Sequence, residues 1–148
     1  MRKYCLLLLG LCHFLRLPAQ QQIPLDEKRY VDSLQRVLTS VRADTAKAEA
    51  RFLLADYWKF KDTAKSKAYL TEGKSLVQSS AYCRAIVPFY EGQYYSNGHS
   101  REASGAFQKA IRALAPLHDI RASAKLAAAW YNYALMNKDA KGYDFIMK

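Results

Sequence analysis

The sequence predicts an all-α protein whose antiparallel helix hairpins stack as a short α-solenoid. Three observations point there. The chain has 148 residues, 51% of them apolar, which is one ordinary domain with enough core for folding. From Asp26 onward breakers are few: Pro88, Pro116 and glycines 73, 92, 98, 105 and 142. Finally, residues 52–77 can be laid over residues 89–114 at a constant offset of 37, and a fixed period of about 20 to 50 residues marks stacked units that cannot bury their apolar faces alone.

The first nineteen residues stand apart. Met1-Arg2-Lys3 is a basic start, and Tyr4 to Leu15 is an apolar run interrupted by His13 and ended by Arg16 and Pro18. A membrane span needs roughly 20 apolar residues, so residues 1–19 read as a secretory signal peptide with its cut after Ala19. Leu17 is bulky for the position three before the cut, which leaves an uncleaved anchor open. Leu11, where a small residue would be needed, speaks against a lipid on Cys12. The expected location is exported, periplasmic or at the cell surface. Cys5 and Cys12 leave with the signal, so Cys83 alone remains and no intramolecular disulfide can form. Cleavage also takes Arg2, Lys3 and Arg16 from the 23 basic residues, leaving 20 against 13 acidic ones, a balance of +7. These charges come in singles and pairs with no run of five, which predicts solvated helix faces and no nucleic-acid partner.

Residues 26–43 predict an amphipathic helix. Tyr30, Val31, Leu34, Val37, Leu38 and Val41 recur at three and four, and Asp26 is placed to cap the start. Residues 44–148 hold the repeats, at about 44–80, 84–116 and an incomplete 122–148. In the overlay Phe52 falls on Phe89, Ala55 on Gly92, Trp58 on Tyr95, Ser66 on Ala103, Leu70 on Phe107, Gly73 on Ala110 and Val77 on Leu114. Closely crossing helices need a small residue where backbones approach and a large one to fill the next hole, which is the pattern found. Lys61-Asp62-Thr63 and Asn97-Gly98-His99 suit the intervening reversals.

Gly92-x-x-Tyr95 followed by Ala103-x-x-x-Phe107-x-x-Ala110 resembles the tetratricopeptide repeat, with its W-x₂-L-G-x₂-Y and A-x₃-F pattern. The chain departs from it in having Pro88 in the tryptophan place and Glu91 in the leucine place. Pro88 is expected in the first turn of its helix, where proline is tolerated. A third unit opens with Trp130-x-x-Tyr133-Ala134, has Asn137 in the aromatic place, and would begin a second helix at Phe145-Ile146-Met147. About three complete repeats are needed for stability, so the sequence reads as the front of something longer or as a module that forms a homo-oligomer through its incomplete last unit. The signal, Asp44-Thr45-Ala46-Lys47 and Trp130-Tyr131-Asn132-Tyr133-Ala134 also resemble, more loosely, the exported N-terminal repeat region of Bacteroidetes-type sensor histidine kinases. That likeness implies a sensory input role, with membrane association through a downstream or separate partner.

No catalytic constellation is found. His13, His99 and His118 share no helical face, Cys-x-x-Cys and His-Glu-x-x-His are absent, and the glycines form no phosphate loop. Cys83 reads as a small buried hydrophobe, and most of the eleven tyrosines read as core. The expected protein is therefore not an enzyme and takes no cofactor or metal. Its repeats imply a concave groove for a protein or peptide partner, lined by first helices. By that resemblance the groove residues are Phe52, Asp56, Lys59, Phe89, Gln93, Asn97, Tyr131 and Lys138, with the lysines accepting a carboxylate and Gln93 and Asn97 bonding peptide backbone. A stand-alone exported adaptor for cell-surface polymer or anionic lipid is the other reading.

Overall fold

A computed structural model describes residues 26–78 and 80–137; the expected signal, Lys138 and the start of a helix at Phe145-Ile146-Met147 lie outside the described residues. Among the described residues there are six α-helices: α1 Glu27–Ser40, α2 Asp44–Trp58, α3 Thr63–Ser75, α4 Ala81–Tyr95, α5 Ser100–Leu114 and α6 Ile120–Asn137. Backbone contacts divide the chain into two compact units, residues 1–30 and 31–148. In the first, the Asp26 carboxylate accepts a hydrogen bond from the Arg29 amide at 2.9 Å and caps α1. The second carries a stack of helices in which each of α2 to α5 packs on its successor, α2 also packs on α4, and α4 on α6.

Short polar residues also start α3, α4 and α6, whereas Ala43 before α2 and His99 before α5 give no side-chain cap. Asp62 accepts from the Lys65 amide at 2.9 Å, Ser80 from the Cys83 amide at 3.2 Å, and Asp119 from the Ala122 amide at 2.8 Å. Each satisfies a donor that the first helical turn leaves without an internal partner. The α4–α5 reversal places Gly98 at φ +94°, a left-handed conformation that glycine adopts without steric penalty.

The core follows the overlay. Phe52, Leu70, Gly73 and Val77 of the first hairpin are buried, as are Phe89, Gly92, Ala103, Phe107, Ala110 and Leu114 of the second. Ser66 is buried too, and its hydroxyl donates to the Ala55 carbonyl of α2 at 2.7 Å. In each hairpin one glycine lies flat under an aromatic ring of the facing helix. A Cβ at Gly73 would stand 2.7 Å from Phe52 Cε1, and one at Gly92 would stand 2.6 Å from Phe107 Cε1.

Pro88 corrects the sequence expectation. It is not in the first turn of α4 but inside the helix, where it cannot donate to the Arg84 carbonyl and its ring crowds that group. Buried Cys83, Ala85, Ile86, Phe89, Tyr90 and Gly92 surround it along α4, so tertiary burial outweighs the local preference.

The hairpins also trade volume at one equivalent pair. Ala55 with Leu70 in the first becomes Gly92 with Phe107 in the second, so the larger side chain meets the smaller backbone. Gly92→Ala should therefore destabilise the chain by about 1–3 kcal/mol, the usual range for overpacking a filled core. Adding Phe107→Leu should recover part of that loss, because the pair then matches the first hairpin. Urea unfolding of the two single variants and the double variant measures the coupling, and simple additivity would exclude this account of the contact.

Candidate functional site

The first helix of each hairpin, α2 and α4, and then α6 lie side by side and run in the same direction. At one end of the α2–α4 pair, Cys83 Sγ is 3.9 Å from the Thr45 carbonyl oxygen and 4.0 Å from Glu49 Oε1. At the other end Lys59 Nζ donates to Gln93 Oε1 at 2.6 Å, and Asn97 Nδ2 donates to the Lys59 carbonyl at 3.1 Å. Sequence separations of 34 to 38 across these contacts follow the repeat period. Between α4 and α6, the Arg121 guanidinium lies 4.6 Å from the Tyr82 ring centre, and Lys125 Nζ lies 4.7 Å from that of Phe89 and 4.9 Å from that of Tyr90. The three helices thus share one face of mixed charge over an aromatic floor.

Two of the expected groove residues are corrected. Phe52 and Phe89 are 0% and 5% exposed, so they cannot line an open surface. Phe52 covers Gly73 and stacks on Tyr90 at 5.1 Å, while Phe89 meets Tyr90 and Phe107 edge-on at 5.2 and 5.9 Å. These rings form the joint between hairpins. A first helix packs against both its hairpin partner and the neighbouring first helix, so a residue on the expected face can still be enclosed.

Asp56, Lys59, Gln93 and Asn97 do come together, but they are engaged with one another. Lys59 Nζ contacts Asp56 Oδ1 at 2.8 Å as well as Gln93. The cluster ties the end of α2 to α4 and α4's exit. Tyr131 is 43% exposed on α6, and Lys138 lies outside the described residues.

The sequence reading passed over Glu49, Tyr82, Arg121 and Lys125. Arg121 and Lys125 stand four apart in an otherwise alanine-rich helix, a spacing that puts both on one face. Arg121 pairs with Glu49 at 3.6 Å. Burial pushes the Tyr82 hydroxyl pKa up, the Glu49 carboxylate adds to this, and Arg121 opposes it. Burial pushes the Lys125 pKa down, against the pull of Asp56 and Glu49. Lys125 donates to the Tyr90 hydroxyl at 3.1 Å and, among the described residues, has no carboxylate at ion-pair distance.

Cys83 is buried and packs among apolar side chains. His99 is exposed at the start of α5. Among the described residues no group of three or more His, Cys, Asp or Glu side chains could hold a metal ion, and no helix is long and apolar enough to cross a membrane.

Because Gln93 and Asn97 bond across the hairpin junction, replacing both with alanine should lower stability by about 1–3 kcal/mol, since one of the two bonds carries a charge. Thermal and urea unfolding check this, and an unchanged midpoint would show that the junction does not depend on them. No protein-family model, curated protein or solved structure matches the chain.

Proposed function

We propose that the chain is a non-catalytic, tetratricopeptide-like interaction module that receives a peptide or partner segment on the shared face of α2, α4 and α6. The observation that carries this reading is the parallel alignment of those helices. It sets Glu49, Tyr82, Arg121 and Lys125 from three different helices on one surface. Charged side chains beside aromatic rings suit recognition, where orientation comes from a few polar groups and affinity from apolar contact.

The role within a larger system rests on the resemblance alone. The module serves as the exported sensory input portion of a signalling protein and passes a binding event to a downstream or separate domain. A homo-oligomer formed through the last repeat is compatible with that role.

The test is selection of a displayed random nonapeptide library on the purified chain. A consensus should emerge, should be lost in Arg121→Glu on the shared face, and should survive Lys109→Glu on the exposed side of α5. Failure to obtain a consensus, or equal loss in both variants, would remove the interaction reading for this face.

A further inference from the structure

We propose that Lys125 anchors one side-chain carboxylate, Asp or Glu, of an extended peptide lying along α2, α4 and α6. This rests on the interaction reading above and adds the chemistry of the ligand.

The charges of the face nearly pair off. Asp56 is taken by Lys59 at 2.8 Å and Glu49 by Arg121 at 3.6 Å, which leaves the Lys125 ammonium as the unmatched charge among these five. Its Nζ lies 4.7 and 4.9 Å from the Phe89 and Tyr90 ring centres, and one donor goes to the Tyr90 hydroxyl at 3.1 Å, so the charge is met by ring faces and a neutral oxygen but by no carboxylate. An ammonium has three donors, and only one of them is held in a hydrogen bond, so an incoming group can accept from the side turned away from the rings. A cation drawn partly out of water without a counter-ion is unfavourable, and a carboxylate would supply the missing charge-assisted hydrogen bond.

The surplus is one positive charge, which fits a carboxylate. A phosphate group, with close to two negative charges, would bring its excess against Glu49 and Asp56. The geometry also favours an internal residue over a chain end. Lys125 sits level with Phe89 and Tyr90, between Tyr82 and Arg121 on one side and Gln93 and Lys59 on the other. From Tyr82 to Gln93, α4 rises about 16 Å at 1.5 Å per residue, room for about five residues of extended chain. A peptide can therefore continue past Lys125 in both directions.

The experiment uses the full chain and three pools of N-acetylated nonapeptides, randomised except at the centre. One has central Glu and an amidated end, one central Gln and an amidated end, and one central Gln with a free C-terminal carboxylate. The Glu pool should be retained about tenfold or more better than the amidated Gln pool, the effect of one hydrogen bond to a charged group. That preference should weaken with added salt, vanish in Lys125→Met and persist in Lys125→Arg.

Lys125→Met keeps an unbranched side chain beside the rings without the charge, and its unfolding midpoint should not fall below that of the parent; Lys125→Gln replaces it if it does. Equal retention of the Glu and amidated Gln pools overturns the carboxylate anchor while leaving peptide binding intact. A Glu preference that survives Lys125→Met also overturns the anchor, and preferential retention of the free-end pool overturns the internal position. Retention of no pool at all overturns the interaction reading itself.

Discussion

The close approach of paired helices is the constraint on which the rest of the structure depends. Phe52 over Gly73 and Phe107 over Gly92 bring α2 to α3 and α4 to α5 at distances where a single added carbon would collide with a ring. Interiors of this density transmit such a misfit to their neighbours. Phe52 stacks on Tyr90, and Phe89 meets both Tyr90 and Phe107. The rings that close each hairpin thus also set one hairpin against the next.

The polar contacts follow from that registration. With α2 and α4 parallel and displaced by one repeat, Lys59 reaches Gln93, and Asn97 reaches the Lys59 carbonyl. Between the second helix of one hairpin and the first helix of the next, Lys74 of α3 meets Glu91 of α4 at 2.6 Å. At the far end of α6, Asn137 donates to Ser104 Oγ of α5 at 2.9 Å and to the Tyr133 carbonyl at 2.7 Å. This asparagine occupies the aromatic place of the third unit, so a hydrogen bond to the preceding helix replaces ring packing there.

Hairpin architecture was legible in the sequence because it is written in residue size at fixed intervals. Ala55, Ser66 and Gly73 recur as Gly92, Ala103 and Ala110; Asn97-Gly98-His99 falls between helices as expected, and of Lys61-Asp62-Thr63 the first two do, while Thr63 opens α3. Pro88 was misjudged because a local rule was applied to a helix whose burial comes from distant partners. The site was less legible. Helical periodicity identifies a face, but it does not say which neighbour covers that face, so Phe52 and Phe89 were assigned to a groove when they close a junction. Asp56, Lys59, Gln93 and Asn97 were read as open to a ligand, whereas they bond to one another, Lys59 to Asp56 at the end of one helix and to Gln93 and Asn97 across separations of 34 and 38 residues. The Arg121 and Lys125 pair carried a readable signal, two cations four apart on a helix rich in alanine.

That alanine-rich background explains why Lys125 occupies an unusual position. Ala122, Ala129 and Ala134 are buried and let α6 lie close to its neighbours, while Leu126, Ala128 and Trp130 pack at the margin of the core. A long side chain at position 125 is half-buried there, with its ammonium against the Phe89 and Tyr90 rings and only partly hydrated. A hydrophobic residue would fill this place without a desolvated charge, whereas Lys59 and Arg121 nearby each have a carboxylate. The ring faces and the Tyr90 hydroxyl hold the Lys125 ammonium in place but bring it no counter-charge. The charge becomes favourable once an anion reaches it, and the same close packing that encloses the rings beneath leaves that anion to come from outside the stack.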